Sequence, residues 1–298
     1  MWKRSIAALA VAAVGAFGLA AGAAKAEVTV GGKNFTEQLL LAEMTGIYLE
    51  DQGYDVSKRD GMGSTVLRRA QENGQVDVYW EYVGTSLIVY NKVEGGASMS
   101  PDKAYAKVKE LDAEKGLVWL EPSNANNTYA LAMREKQAND LGIESISDMI
   151  ERIENEGDLT LAVNSEFAGR PDGLPGLQKH YDFRWPRENL KRMQSGLIYQ
   201  ALKEGQVDIG LVFATDGRIA AFDFITLDDN KNFFPNYALT PVVRKDTLEE
   251  NPDLREQLNA LSAKLNDQVM RKLNQRVDVD KETVEDVARS FLESEGLI

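Results

Sequence analysis

The residues from Asp77 to Ser86 (DVYWEYVGTS) place three aromatic rings in six positions and close on Gly84 and Thr85. Aromatic faces carry negative quadrupole charge, so several rings around a cavity hold a quaternary ammonium, a cation with no hydrogen to donate. Rings spaced along a strand more often pack a core, which is the expectation for Tyr79 and Trp80; Tyr82 is the site candidate. Val30 to Gln38 (VGGKNFTEQ) sets Lys33 beside a helix start, where an ammonium and unpaired backbone N–H groups suit an anion. Its glycine pair lacks the spacing of a nucleotide loop, and a solvated lysine in an ordinary turn reads the same way. Ser123 to Met133 (SNANNTYALAM) runs from asparagines, which also make plain turns, into Tyr129. Asn164 to Leu177 (NSEFAGRPDGLPGL) puts Arg170 at the mouth of a helix. There a guanidinium grips a carboxylate through two parallel hydrogen bonds, or pairs with Asp172 instead.

Covalent chemistry has few candidates. His180 is the single histidine and cysteine is absent, which argues against His-based triads and thiol chemistry. The carboxylates form no recognisable metal-binding loop, so no metal or other cofactor is expected. His180, beside Tyr181 near a helix end, reads as a surface or packing residue.

These groups need a scaffold. Residues 1–26 read as an export signal: Lys3 and Arg4, an apolar run from Ile6 to Ala24, and an A-x-A cleavage site ending at Ala26. No cysteine stands at the cleavage site for lipidation, so a soluble periplasmic protein is expected, monomeric and without disulfides. Of 298 residues, 272 remain, enough for two domains. Removing Lys3, Arg4 and Lys25 from 34 basic residues leaves 31 against 47 acidic ones, a formal −16 that argues against nucleic-acid binding.

Short apolar runs then alternate with amphipathic ones. Strands are expected at Val28 to Gly31, Val76 to Tyr79, Tyr129 to Met133 and Leu159 to Val163, with a strand pair at Phe224 to Leu227 and Leu239 to Val243. Helices are expected at residues 35–51, 65–73, 101–115, 146–154, 173–181, 252–273 and 281–295. This is the rhythm of parallel-type α/β sheets. An internal echo supports two of them: Glu72 to Val78 (ENGQVDV) returns 131 positions later as Lys203 to Ile209 (KEGQVDI). Each copy leads to an aromatic at the same offset, Tyr82 and Phe213. Ligands of open α/β sheets bind at strand carboxyl ends, so two facing lobes would bring both rings into one cleft.

The clusters, in this order, resemble the substrate-binding proteins of osmoprotectant ABC importers. The most specific parts are GGKNFTEQ, the Asp-Val-Tyr-x-Glu-Tyr-x-Gly-Thr run, NNTYAL, the Glu-Phe-Ala-x-Arg-Pro-Asp-Gly-Leu-Pro run and Thr215-Asp216-Gly217. The resemblance implies a two-lobed α/β periplasmic binding protein of type II: lobe 1 from 27–128 and 215–298, lobe 2 from 129–214, closing like a hinge. It implies an aromatic cage from Tyr82, Tyr129, Tyr199 and Phe213, and a carboxylate grip from Lys33, Thr85 and Arg170, with Gln38 and the backbone around Asn127 as further candidates. Phe213 departs from the tyrosine common there. The implied ligand is a quaternary ammonium compound such as glycine betaine or choline, the implied partner an ABC permease, and no catalysis is expected. Rival readings are another solute such as ergothioneine or an amino acid, a sensor subunit, and an exported hydrolase, against which the lone histidine and missing thiol argue.

Overall fold

The computed structural model describes residues 27–298, so the expected export signal lies outside the described residues. Strands β1 (Val28–Lys33), β2 (Val56–Met62), β3 (Val78–Tyr82) and β4 (Leu117–Trp119) come first. They are followed by β5 (Tyr129–Arg134), β6 (Leu161–Val163), β7 (Leu190–Arg192), β8 (Ile209–Phe213), β9 (Phe224–Thr226) and β10 (Leu239–Arg244). They form two five-stranded mixed sheets, ordered β2-β1-β3-β10-β4 and β7-β6-β8-β5-β9. In the first sheet β1 runs parallel to β2 and β3, and β10 antiparallel to β3 and β4. The second repeats this pattern, with β6 parallel to β7 and β8, and β5 antiparallel to β8 and β9.

Inner strands β3, β6 and β10 are buried almost throughout, as strands covered on both faces must be. The helix Thr36–Asp51 is apolar on most sides because it packs between the first sheet and the helices Asp267–Asp278 and Val284–Ser294.

The echo has a structural counterpart. Asp77 Oδ2 accepts the Thr29 N–H at 2.8 Å, and Asp208 Oδ2 accepts the Thr160 N–H at 2.9 Å. Both members of the second pair stand 131 positions after those of the first. Each aspartate therefore clips the start of its sheet's central parallel pair, which explains why this position recurs.

Several expectations need correction. The strand expected to end at Tyr79 runs on to Tyr82, carrying that ring to its carboxyl end. β2 is an edge strand of sequence VSKRDGM, whose charges suit an edge but hide it from a search for apolar runs. The long helix expected over 252–273 is two, Leu254–Ala263 and Asp267–Asp278, because Asn266 caps the second by accepting the Val269 N–H. The strands expected to pair after residue 224 belong to different sheets: β9 bonds to β5, and β10 to β3 and β4. The chain therefore stays with the second sheet past the expected return at 215. Its two crossings, Asn126–Thr128 and Pro235–Ala238, lie side by side, with a bridge between Asn126 and Ala238 and the Tyr237 N–H donating to Asn126 Oδ1 at 2.8 Å.

Close packing of β1 against the helix Ser64–Glu72 depends on Gly31. A Cβ there would sit 2.6 Å from Leu67 Cδ1 and 2.7 Å from Val76 Cγ1. Gly31→Ala should cost about 1–3 kcal/mol by overpacking, read as a lower urea midpoint. Gly63→Ala, where a Cβ meets nothing within 4 Å, should leave the midpoint nearly unchanged.

Candidate functional site

At the crossings, side chains from both lobes enclose a cavity whose apolar wall is a row of rings. Tyr82 comes from the end of β3 and Phe213 from the end of β8; Phe35 precedes the first helix, Tyr129 opens β5, and Tyr237 lies on the second crossing. Phe35 and Phe213 stack with centroids 5.3 Å apart and planes 6° off parallel, and Tyr82 lies 6.4 Å beyond Phe35. Tyr129 is the register partner of Phe213 across the sheet, 5.3 Å from it, and meets Tyr237 edge-on at 5.4 Å. Gly84 lets the second crossing approach, since a Cβ there would lie 2.8 Å from the Asn236 carbonyl and 3.0 Å from the Tyr237 ring.

The polar wall is built around Arg170, which is buried. Asp172 takes its Nε at 2.8 Å and Nη2 at 2.6 Å, and the Tyr237 hydroxyl donates to the same carboxylate at 2.6 Å. The alternative pairing considered from sequence is thus present, but inside the site. Nη2 also reaches Thr85 Oγ1 at 3.3 Å, a contact between lobes. Nη1 has longer contacts, 3.4 Å to the Tyr129 hydroxyl and 3.5 Å to Glu166, and is the least committed nitrogen. Asp172 therefore orients the guanidinium while leaving one edge for an anionic group.

Seven of the nine expected residues line this cavity: Lys33, Tyr82, Thr85, Asn127, Tyr129, Arg170 and Phe213. Lys33 differs in role. Its ammonium pairs with Glu81 at 2.5 Å and sits 4.8 Å over the Tyr82 ring. A buried ammonium needs such a partner, so Lys33 is an internal counter-charge rather than a free grip. Gln38 lies behind the wall and donates to the Trp80 carbonyl at 3.0 Å and the Tyr82 hydroxyl at 3.1 Å. Tyr199 does not line the cavity; its hydroxyl accepts the Phe213 N–H at 2.9 Å, and its ring is covered by Arg218 at 3.9 Å. It holds Phe213 from behind because it lies on the helix before β8. Tyr79 and Trp80 are core, as expected, and exposed His180 packs against Tyr181 and Phe233.

The sequence reading missed Phe35, Tyr237 and Glu37. Phe35 occupies a helix N-cap without any side-chain cap bond, where Ser, Thr, Asn or Asp is favoured, and that broken local rule was its signal. Tyr237 lies on the second crossing, two residues before β10 begins at Leu239, and no pattern of its own marks it in the sequence.

Glu37 is fully buried and accepts from the Tyr82 hydroxyl and Asn127 Nδ2, each at 2.8 Å, from Asn274 Nδ2 at 3.4 Å and from the Thr215 hydroxyl. No ion pair to it exists among the described residues. Burial raises its pKa above the usual carboxylate value, and the four hydrogen bonds, led by Thr215, offset part of the rise. A raised folded pKa means the folded state holds the proton more tightly. Stability from this group is therefore full below the unfolded value of about 4.3 and declines as pH rises to the folded value. Glu37→Gln should remove that decline, read as a flatter dependence of the urea midpoint on pH above 4. Glu37→Ala strands several buried donors and should cost about 3 kcal/mol at any pH.

Residues 26–294 match the family described as the substrate binding domain of ABC-type glycine betaine transport systems. The chain is 44% identical to a glycine-betaine-binding protein of Pseudomonas aeruginosa, over 99% of this chain and 96% of the relative. It is 31% identical to an ergothioneine transport permease/ergothioneine binding protein of Helicobacter pylori, over 91% of this chain and 48% of that longer protein. Among solved structures, a glycine betaine/carnitine/choline ABC transporter protein matches with a TM-score of 0.71 and 27% identity, over 91% of this chain and 99% of the other. Two mixed sheets joined by adjacent crossings, a cavity at that junction and these matches lead to one assignment: the chain belongs to the substrate-binding proteins of ABC-type glycine betaine transport systems.

Proposed function

We propose that this chain captures a quaternary ammonium compound in the periplasm, after removal of its export signal at Ala26, and presents it as a monomer to an ABC permease. The observation that carries the ligand class is the row of five rings ending at a paired arginine. A trimethylammonium offers no hydrogen-bond donor, and stacked faces replace its water at low cost. A carboxylate on the same molecule, as in glycine betaine, takes the uncommitted Arg170 Nη1 and the Thr85 hydroxyl. Choline lacks the carboxylate but has a hydroxyl to donate, and Asn127 Oδ1 is buried with no hydrogen-bond partner among the described residues. Because Thr85 and Arg170 come from different lobes, the same contacts favour closure around the ligand, and binding energy performs the work without covalent chemistry.

Ergothioneine is the second reading, favoured by the Helicobacter pylori relative whose name carries that ligand. Calorimetry of residues 27–298 with glycine betaine, choline, carnitine, ergothioneine, arginine and glycine separates these readings. Binding of a quaternary ammonium compound with no response to arginine or glycine is the expected outcome; a response to the amino acids alone would sink the cage.

Tyr82→Ala should weaken binding of the quaternary compound by about 1–2 kcal/mol, roughly 5- to 30-fold in Kd. Phe213→Tyr should keep it within a few-fold, since a phenol face attracts the same cation. An unchanged Kd in Tyr82→Ala removes that ring from the site.

A further inference from the structure

Among the described residues the exposed large hydrophobic side chains are Val66, 59% exposed, and Leu197, 57% exposed. They stand 131 positions apart, the offset that relates Thr29 to Thr160 and Asp77 to Asp208. Each occupies the first turn of the helix that leads into a cavity-lining strand, Ser64–Glu72 before β3 and Ser195–Lys203 before β8. The two exposures are thus one feature, repeated by the internal symmetry on both lobes. Both first turns also line the mouth of the cleft between the lobes, through Ser64 and Val66 on one side and Ser195 and Gly196 on the other.

The charge around them differs from that of the whole chain, whose formal net charge is −13. Arg69 follows Val66 by one helical turn, and Lys191 and Arg192 end the strand before the Leu197 helix. All three are exposed and make no ion pair among the described residues. An exposed apolar residue bordered by unpaired cations on each lobe fits a partner that presents an apolar socket with acidic surroundings twice.

We infer that Val66 and Leu197 are the paired anchors by which the closed protein docks on its importer's permease, one lobe on each of two like halves. The inference rests on the transport reading above and adds the contact residues. Symmetry-related anchors on lobes that move relative to each other reach two fixed sockets together in only one degree of closure. Docking by this pair therefore reports the state of the cleft without touching the solute. Neither side chain lines the inner cavity, so substitution leaves solute binding intact.

The test uses a strain of the source organism lacking its chromosomal copy and complemented with the full-length gene, wild type or carrying Val66→Asp, Leu197→Asp or both. Uptake of labelled glycine betaine, or of the panel solute bound in its place, is measured alongside calorimetry on the purified proteins. The expected result is a fall in uptake of roughly tenfold or more for the double variant, smaller falls for each single one, and Kd values within twofold of wild type. Wild-type uptake in the double variant, at equal periplasmic protein, overturns the docking role. So does binding of the wild-type protein, but not the double variant, to phosphatidylglycerol vesicles without permease, which makes the patch a lipid contact. Dimerisation of the wild type abolished in the double variant likewise assigns the patch to a second copy. A wrong ligand class appears in the calorimetry panel, whereas a wrong surface appears only in uptake.

Discussion

A single buried carboxylate ties segments of both lobes to the crossing between them. Glu37 begins the helix that covers the first sheet, yet its hydrogen-bond donors come from β3, the first crossing, the loop after β8 and the helix Asp267–Asp278. Desolvating a carboxylate is costly, and here only neutral donors repay it. The arrangement is stable only while all those segments remain in place. The same acceptor fixes the Tyr82 hydroxyl and Asn127, so the position of a ring facing the cavity is coupled to the geometry of the first crossing.

Charge in the cavity is organised on the same principle. Lys33 is matched by Glu81, and Arg170 by Asp172, with Tyr79 and Tyr237 donating to the two carboxylates. Unpaired, these cations would repel a trimethylammonium placed among the rings. Paired, they leave the ring faces as the main attraction for a cation, and Arg170 retains one loosely held nitrogen for an anion. The partners also fix side-chain orientation before any solute arrives, so less entropy is lost on binding.

Much of this was legible in the sequence, and the failures follow a physical pattern. Residues at strand carboxyl ends were found because strand ends are marked by composition: Tyr82 and Phe213 follow apolar runs, and Arg170 precedes a glycine-rich helix mouth. Roles set by a distant partner were not visible. Lys33 reads as a free ammonium until Glu81, 48 positions away, is placed beside it. Tyr199 reads as a cage ring until its helix is seen to stand behind β8. The return expected at 215 precedes β9, a strand that the sequence shows but whose place in the second sheet is set only by pairing with β5. Phe35 was hidden because a motif that suits an anion drew attention to its lysine.

Internal symmetry explains how one scaffold builds a cavity with unlike walls. The 131-residue offset sets Lys33 against Asn164, Phe35 against Glu166 and Tyr82 against Phe213, and all six line the same cavity. Backbone positions are thus duplicated while the chemistry is not: a cation corresponds to an amide, an aromatic to a carboxylate, and a phenol to a plain phenyl. Where equivalent positions keep the same chemistry, as with the Thr–Asp clips or Val66 and Leu197, they serve the sheets or the outer surface. Divergent side chains at duplicate positions make the two halves of the cavity chemically unlike, so a solute turned end for end would exchange, for instance, the Phe35 ring for the Glu166 carboxylate.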